Sequence, residues 1–237
     1  MSVAADVGGK ARQRYRRDDR ATSVTAAAIR IIEDYGVTGL SFRALANDSR
    51  LGVSRGTPLY IFGTTAGLLA AVAADVFHEL AERLKPEANV RAPSVRMLER
   101  MARQHVTFAL ERPNLYQAIH SPELWTATTA DYKPNPGRQK PPGKAAQEKA
   151  RHWIEQAVAA RNSAFTEYET AVKALIAAGR IRRSSNSARV ARMVTALIDG
   201  YLFQLFHEQV GVEGTRAEQI DFALGLVRLA LKGVAAS

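Results

Sequence analysis

The chain has 237 residues, of which 46% are hydrophobic and 24% charged, with Lys+Arg 33 against Asp+Glu 23 for a net charge of +10. This is a globular composition with enough chain for one or two cored domains, and it excludes wholesale disorder. Cysteine is absent, which removes disulfide scaffolds, thiolate metal sites, iron–sulfur clusters and thiol nucleophiles.

No apolar run marks a signal peptide or a membrane span, so the expectation is a cytoplasmic protein without a membrane partner. A positive balance favours polyanionic partners such as nucleic acid. The excess is spread: residues 1–62 hold ten bases and six acids, 63–85 two and three, 86–150 ten and six, and 151–237 eleven and eight. Its densest piece is Lys10, Arg12, Arg14, Arg16, Arg17 and Arg20, read as a basic, flexible arm over 1–19.

Apolar residues at Val24, Ala27, Ala28, Ile31, Ile32 and Tyr35 follow helical spacing up to the stop at Gly36. Ser41 caps a short second helix with Phe42, Leu45 and Ala46 on one face. After Gly52, Ser54 caps a third that runs through Tyr60. Three short helices with glycine-containing turns make a helix-turn-helix layout over 20–66.

A longer amphipathic helix carries Leu68 to Leu84 and ends at Pro86. Another runs from Ser94 through Met101, His105 and Ala109 to Pro113, which opens a short helix with Leu115, Tyr116 and Ile119. Four of the nine prolines fall between 126 and 150, and this density of breakers predicts a loop. Helical spacing resumes at Trp153 and continues to Gly179. Val190 to Phe206 forms a wide apolar stripe, and Thr215 with Glu218 reads as a capping box for a last helix through Leu231. No period-2 strand pattern occurs, so the fold class is all-α: an N-terminal three-helix helix-turn-helix head and a C-terminal helical bundle over 67–237.

The head resembles the tetracycline-repressor (TetR) family of transcriptional regulators. The resemblance rests on Ala27-Ala28 before Gly36, Leu40-Ser41-Phe42-Arg43-Ala44-Leu45-Ala46, Gly52-Val53-Ser54-Arg55-Gly56-Thr57-Pro58, Phe62 and Leu68-Leu69. It covers roughly 20–75. The stretch Val106 to Tyr116 and the late Asp199-Gly200-Tyr201 look like the rest of that family. The chain departs from the pattern in two extra residues within Asn47 to Leu51, in Leu59, Tyr60 and Ile61 after the proline, and in Thr65, where the family often has a phosphate-contacting lysine.

The resemblance implies a homodimeric, ligand-released repressor that binds a double-stranded DNA operator. The residues expected at DNA are Arg16, Arg17 and Arg20 of the arm, Ser41 and Arg43, then Ser54, Arg55, Gly56, Thr57, Tyr60 and Thr65. Small residues at the start of a recognition helix let the backbone approach a duplex, and an arginine reaches phosphate or guanine. A small apolar or aromatic effector is expected among His105, Phe108, Tyr116, Trp125, Trp153, Phe165, Tyr168 and Tyr201. The expected dimer surface is Val194, Ile198, Tyr201, Leu205, Leu224, Val227 and Leu231. No cofactor or metal is expected, because the five histidines lack metal-ligand spacing, and no nucleophile or phosphate-loop motif supports catalysis. The alternative is a helical small-molecule carrier or partner-binding protein that keeps the module as a scaffold.

Overall fold

Local sequence chemistry sets several of the helix boundaries. The computed structural model describes residues 5–48, 50–54, 56–85, 93–126, 143–207 and 214–235. Helix α1 is Ala5–Tyr35, followed by a single 3-10 turn, Val37–Gly39. Then come α2 (Phe42–Asn47), α3 (Gly56–Phe62) and α4 (Thr65–Leu84). The remaining helices are α5 (Val95–Glu111), α6 (Pro113–Ile119), α7 (Pro122–Thr126), α8 (Lys144–Ala177), α9 (Ser187–His207) and α10 (Arg216–Lys232). Among the described residues the only extended pairing is an isolated bridge between Ile181 and Ala235. The fold is all-α.

Two of the three caps read from sequence are made by side chains, while Ser54 Oγ, read as the cap of α3, pairs with Thr57 Oγ1 at 3.0 Å. Ser41 Oγ accepts from the Ala44 amide at 3.0 Å. Thr215 and Glu218 form the reciprocal box, with Thr215 N donating to Glu218 Oε2 at 2.6 Å. That backbone hydrogen bond holds the Glu218 carboxyl below its ordinary pKa. Pro113 opens α6, where a missing amide costs nothing. Gly179, at φ +67°, closes α8 in the left-handed region that glycine enters freely.

Two boundaries differ from expectation. The first helix starts at Ala5, so the segment read as a flexible arm is helical and continuous with the head helix; its arginines and alanines are helix formers and no proline interrupts them. Helix α8 starts at Lys144 rather than near Trp153. The proline density ends at Pro142, and Lys-Ala-Ala-Gln-Glu-Lys-Ala then has high helix propensity. Most of the remainder of the expected loop at 126–150 lies outside the described residues.

The chain divides into two units, each built from two segments: residues 1–74 with 118–157, and 75–117 with 158–237. In the first, Val24, Ala27, Ala28 and Ile32 of α1 form a core with Leu45, Ile61 and Phe62, all buried. In the second, α5, α9 and α10 pack through Leu98, Met101, Val106, Val194, Ile198, Leu224 and Val227. Burial of such side chains, at roughly 1.5–3 kcal/mol each, is what holds a helical bundle. Ion pairs such as Arg228–Glu99 and Arg103–Asp221 decorate its surface and add little. Among the described residues no single helix is long and apolar enough to cross a membrane.

Candidate nucleic-acid interface

Helix α3 is two-sided. Pro58, Ile61 and Phe62 point into the core, while Gly56, Leu59 and Tyr60 lie on the outer face. Leu59 is 49% and Tyr60 64% exposed. Pro58 is tolerated because, as the third residue of the helix, its nitrogen has no intrahelical partner to lose.

The glycine at 56 is not demanded by the fold. A Cβ built there would meet only Ser54 Oγ, at 4.0 Å. By contrast Gly52 sits at φ +55° in the turn between α2 and α3, where a side chain would strain the backbone. That turn is tied down by Asp48, whose Oδ1 accepts from the Arg50 amide at 2.9 Å and whose Oδ2 lies 3.3 Å from Arg30. The amide hydrogen bond, joined by the Arg30 guanidinium, holds the Asp48 carboxyl below its usual range.

Around α3 the polar groups collect on one edge. Ser54 Oγ and Thr57 Oγ1 are hydrogen-bonded at 3.0 Å. Together with Arg20, Ser23 and the Leu51–Val53 turn they line an open cleft of about 360 Å³. Arg43 and Ser41 are exposed at the start of α2. Thr65 is exposed as the first residue of α4, and the neighbouring Thr64 provides its cap by accepting from Gly67 N at 3.0 Å. Arg16 and Arg17 belong to helical α1 backbone, but their side chains, and Arg55 altogether, lie outside the described residues.

A cation missed by sequence reasoning joins this surface. Lys149 Nζ donates to the Tyr60 carbonyl at 2.7 Å and stands 4.1 Å from the Tyr60 ring centroid. It lies on a stripe of α8, Ala146, Lys149, Ala150 and Trp153, whose spacing of three and four puts them on one helix face.

The expected effector residues do not form one cluster. Trp153 belongs to the unit that holds α3: its indole lies 5.2 Å from the Phe62 ring and donates to the Ile61 carbonyl at 3.3 Å. Trp125, in the same unit, donates to the Ile119 carbonyl at 2.8 Å. In the other unit Phe108 is fully buried beneath the Arg83 guanidinium, Phe165 lies 5.8 Å from that of Arg192, and Tyr201 packs on Phe222. The Tyr201 hydroxyl is buried with no hydrogen-bond partner among the described residues.

His105, Tyr116 and Tyr168 do come together, and with them Asp199, which sequence reasoning did not single out. Tyr116 donates to Asp199 Oδ1 at 2.6 Å, so its oxygen is left to accept from His105 Nε2 at 3.1 Å. His105 Nδ1 lies 3.4 Å from the Tyr168 hydroxyl. The carboxylate, a pure acceptor, thus sets the direction of the relay from His105 Nε2 through Tyr116 to Asp199. Burial, with the Asp199 charge second, pushes both phenols well above their ordinary pKa, keeping them neutral donors. Among the described residues no group of three or more His, Asp or Glu is placed to hold a metal ion.

No protein-family model and no curated protein matches this chain. Solved structures do. A protein of unknown function from Rhodococcus sp. RHA1 superposes with a TM-score of 0.61 at 23% identity, over 91% of this chain and 95% of that one. The transcriptional regulator FadR from Bacillus subtilis, in complex with stearoyl-CoA, superposes with 0.62 at 14%, over 90% and 98%. The TetR-family regulator PfmR from Thermus thermophilus gives 0.55 at 15%, over 88% and 97%. The chain has the fold of TetR-family regulators.

Helices α2 and α3 are two short helices joined through the turn at Gly52, and α9 and α10 are the last two helices. The expected dimer residues Val194, Ile198, Tyr201, Leu224, Val227 and Leu231 prove to be buried within their own chain, and Leu205 is half-buried. None of the six is free to pack on a second copy. Periodicity locates an apolar stripe on each helix without saying which stripe the chain itself consumes.

Proposed function

We propose that the protein is a sequence-specific DNA-binding regulator that works as a homodimer and is released from its operator by a small effector. The observation that carries this reading is the open face of α3, where Gly56, Leu59 and Tyr60 stand outward with Ser54 and Thr57 at the helix start. A glycine that the fold does not require lets backbone approach a duplex, and exposed leucine and tyrosine suit thymine methyl and phosphate contacts. Arg55, Arg16, Arg17, Arg20, Ser41, Arg43 and Thr65 complete the proposed contact set, with 20–66 as head and 67–237 as sensor.

Two copies are needed, because one small head reads too few base pairs, and half-sites on one face of a duplex recur about every 34 Å. The proposed dimer surface is the outward side of α9 and α10. Phe203 is 56%, Phe222 54% and Leu229 68% exposed. Gly200 and Gly225 share these faces, and a Cβ at either would meet nothing within 4 Å. Mid-helix glycine costs about 0.5–1 kcal/mol, and close approach of a partner helix accounts for keeping it.

For the effector we infer an apolar or aromatic molecule with one hydrogen-bonding group, met by the His105–Tyr116–Tyr168–Asp199 relay in an otherwise apolar core. The B. subtilis neighbour holds stearoyl-CoA, a ligand with a long apolar chain. Release follows from linkage: an effector that favours a head spacing unsuited to the operator weakens DNA binding, and DNA weakens effector binding equally.

A salt titration of duplex binding separates this reading from the carrier alternative. A DNA binder loses affinity along a straight line in log salt, with a slope set by the number of phosphates neutralised. A salt-independent or absent interaction contradicts it.

A further inference from the structure

Thr65 offers no charge at the start of α4, yet the outer end of α3 is not without a cation. The first turns of α8 lie flush on the corner between α3 and α4. At Gly63 (φ +76°) a Cβ would stand 2.0 Å from the Ala146 carbonyl oxygen, and at Gly67 it would stand 3.0 Å from Ala150 Cα. Two glycines therefore permit backbone contact that any side chain would block. Trp153 locks the next turn on Phe62. Lys149 lies between these anchors on the same stripe, so packing of the α8 backbone sets its Cα within side-chain reach of Tyr60.

The ammonium carries three N–H groups. One is spent on the Tyr60 carbonyl at 2.7 Å, and the ring face lies 4.1 Å away. Tyr60 is 64% exposed on the outer face of α3, so the ammonium beside it has two further N–H groups to offer an anion.

We propose that Lys149 is a duplex-phosphate contact that α8 supplies to the exposed end of α3, working as a pair with Tyr60. This rests on the reading of α3 as the DNA-facing helix. It gives that helix a cation from 89 residues further along the chain, in the segment that sequence reasoning assigned to the loop and sensor. Arg151 serves as an internal control. It is exposed on the same helix and carries the same charge, but two residues on it projects from the opposite side of α8.

The test is the salt dependence of binding to one fixed-sequence duplex about three helical turns long, read by fluorescence anisotropy for the wild type, K149Q, K149R and R151Q. A phosphate contact contributes about 0.9 to the slope of log K against log salt. K149Q is expected to reduce the slope by about that amount per bound chain, K149R to keep it, and R151Q to leave it unchanged. If K149Q keeps the wild-type slope, or loses no more than R151Q, Lys149 only caps α3 and the proposal fails while the DNA reading stands. If the wild type shows no salt-dependent binding, both fail.

A second measurement needs no variant. Acetylation of the wild-type chain with and without the same duplex, followed by mass spectrometry, is expected to show Lys149 protected by DNA by several-fold. Equal modification in both states overturns the contact.

Discussion

The indole of Trp153 lies against the ring of Phe62, with centroids 5.2 Å apart, and donates to the carbonyl of Ile61 next to it. A residue expected to line an effector site is instead the bolt between the start of α8 and the buried face of α3. Since Phe62 is fully buried and lies two residues from the outward-facing Tyr60, this contact sets how α3 is presented.

Trp153→Ala should therefore destabilise the protein by about 2–3 kcal/mol, somewhat below the range for a fully buried tryptophan because the side chain is half-exposed. Trp153→Phe keeps a ring on Phe62 and should recover most of that loss. Urea denaturation of the three proteins measures both. Unchanged stability in the alanine variant would mean that α8 does not hold the head.

Gly56→Ala separates folding from recognition. The added Cβ meets only Ser54 Oγ at 4.0 Å, and alanine is the better helix former, so stability should hold or rise by up to about 1 kcal/mol. Under the proposed reading DNA affinity falls, because the methyl group stands where backbone approaches the duplex. Thermal melts paired with operator gel shifts check the two directions, and a variant that binds as tightly as the wild type would remove Gly56 from the interface.

What the sequence disclosed divides along the range of the interactions concerned. The Ser41 cap and the Thr215–Glu218 box were legible because each closes over three residues and needs only local chemistry. The buried stripes of α1 and α5 were legible from period alone. Tyr116 and Asp199, 83 residues apart, meet only because α6 and α9 fold together, and a lone carboxylate in a helix has no spacing to betray it. Lys149 was hidden differently, inside a proline-rich stretch that composition marks as loop.

The relay predicts a stability cost of its own. Tyr116→Phe removes the oxygen that accepts from His105 Nε2 and the hydroxyl that donates to Asp199 Oδ1, the first bond buried and the second part-buried. The expected loss is roughly 1–3 kcal/mol, or a fall in Tm of several degrees for a chain of this size. If effector engages the relay, the same variant binds it more weakly than the stability loss alone explains, which calorimetry with a bound effector resolves.

Oligomeric state tests the reassigned dimer surface. Leu229→Glu and Phe203→Glu put charge on faces that the chain leaves exposed, so they should fold as the wild type does and run as monomers in light scattering. A buried position such as Val227, changed to Glu, should unfold the bundle instead. Dimers that persist in both surface variants would move the interface elsewhere.

If the open face of α3 reads DNA sequence, selection from a random duplex library by the purified protein will enrich a two-fold symmetric site, its half-sites about one helical turn or a multiple apart. That enrichment will be lost in Gly56→Ala. Recovery of unenriched sequence, with wild type and variant alike, would contradict this role for α3.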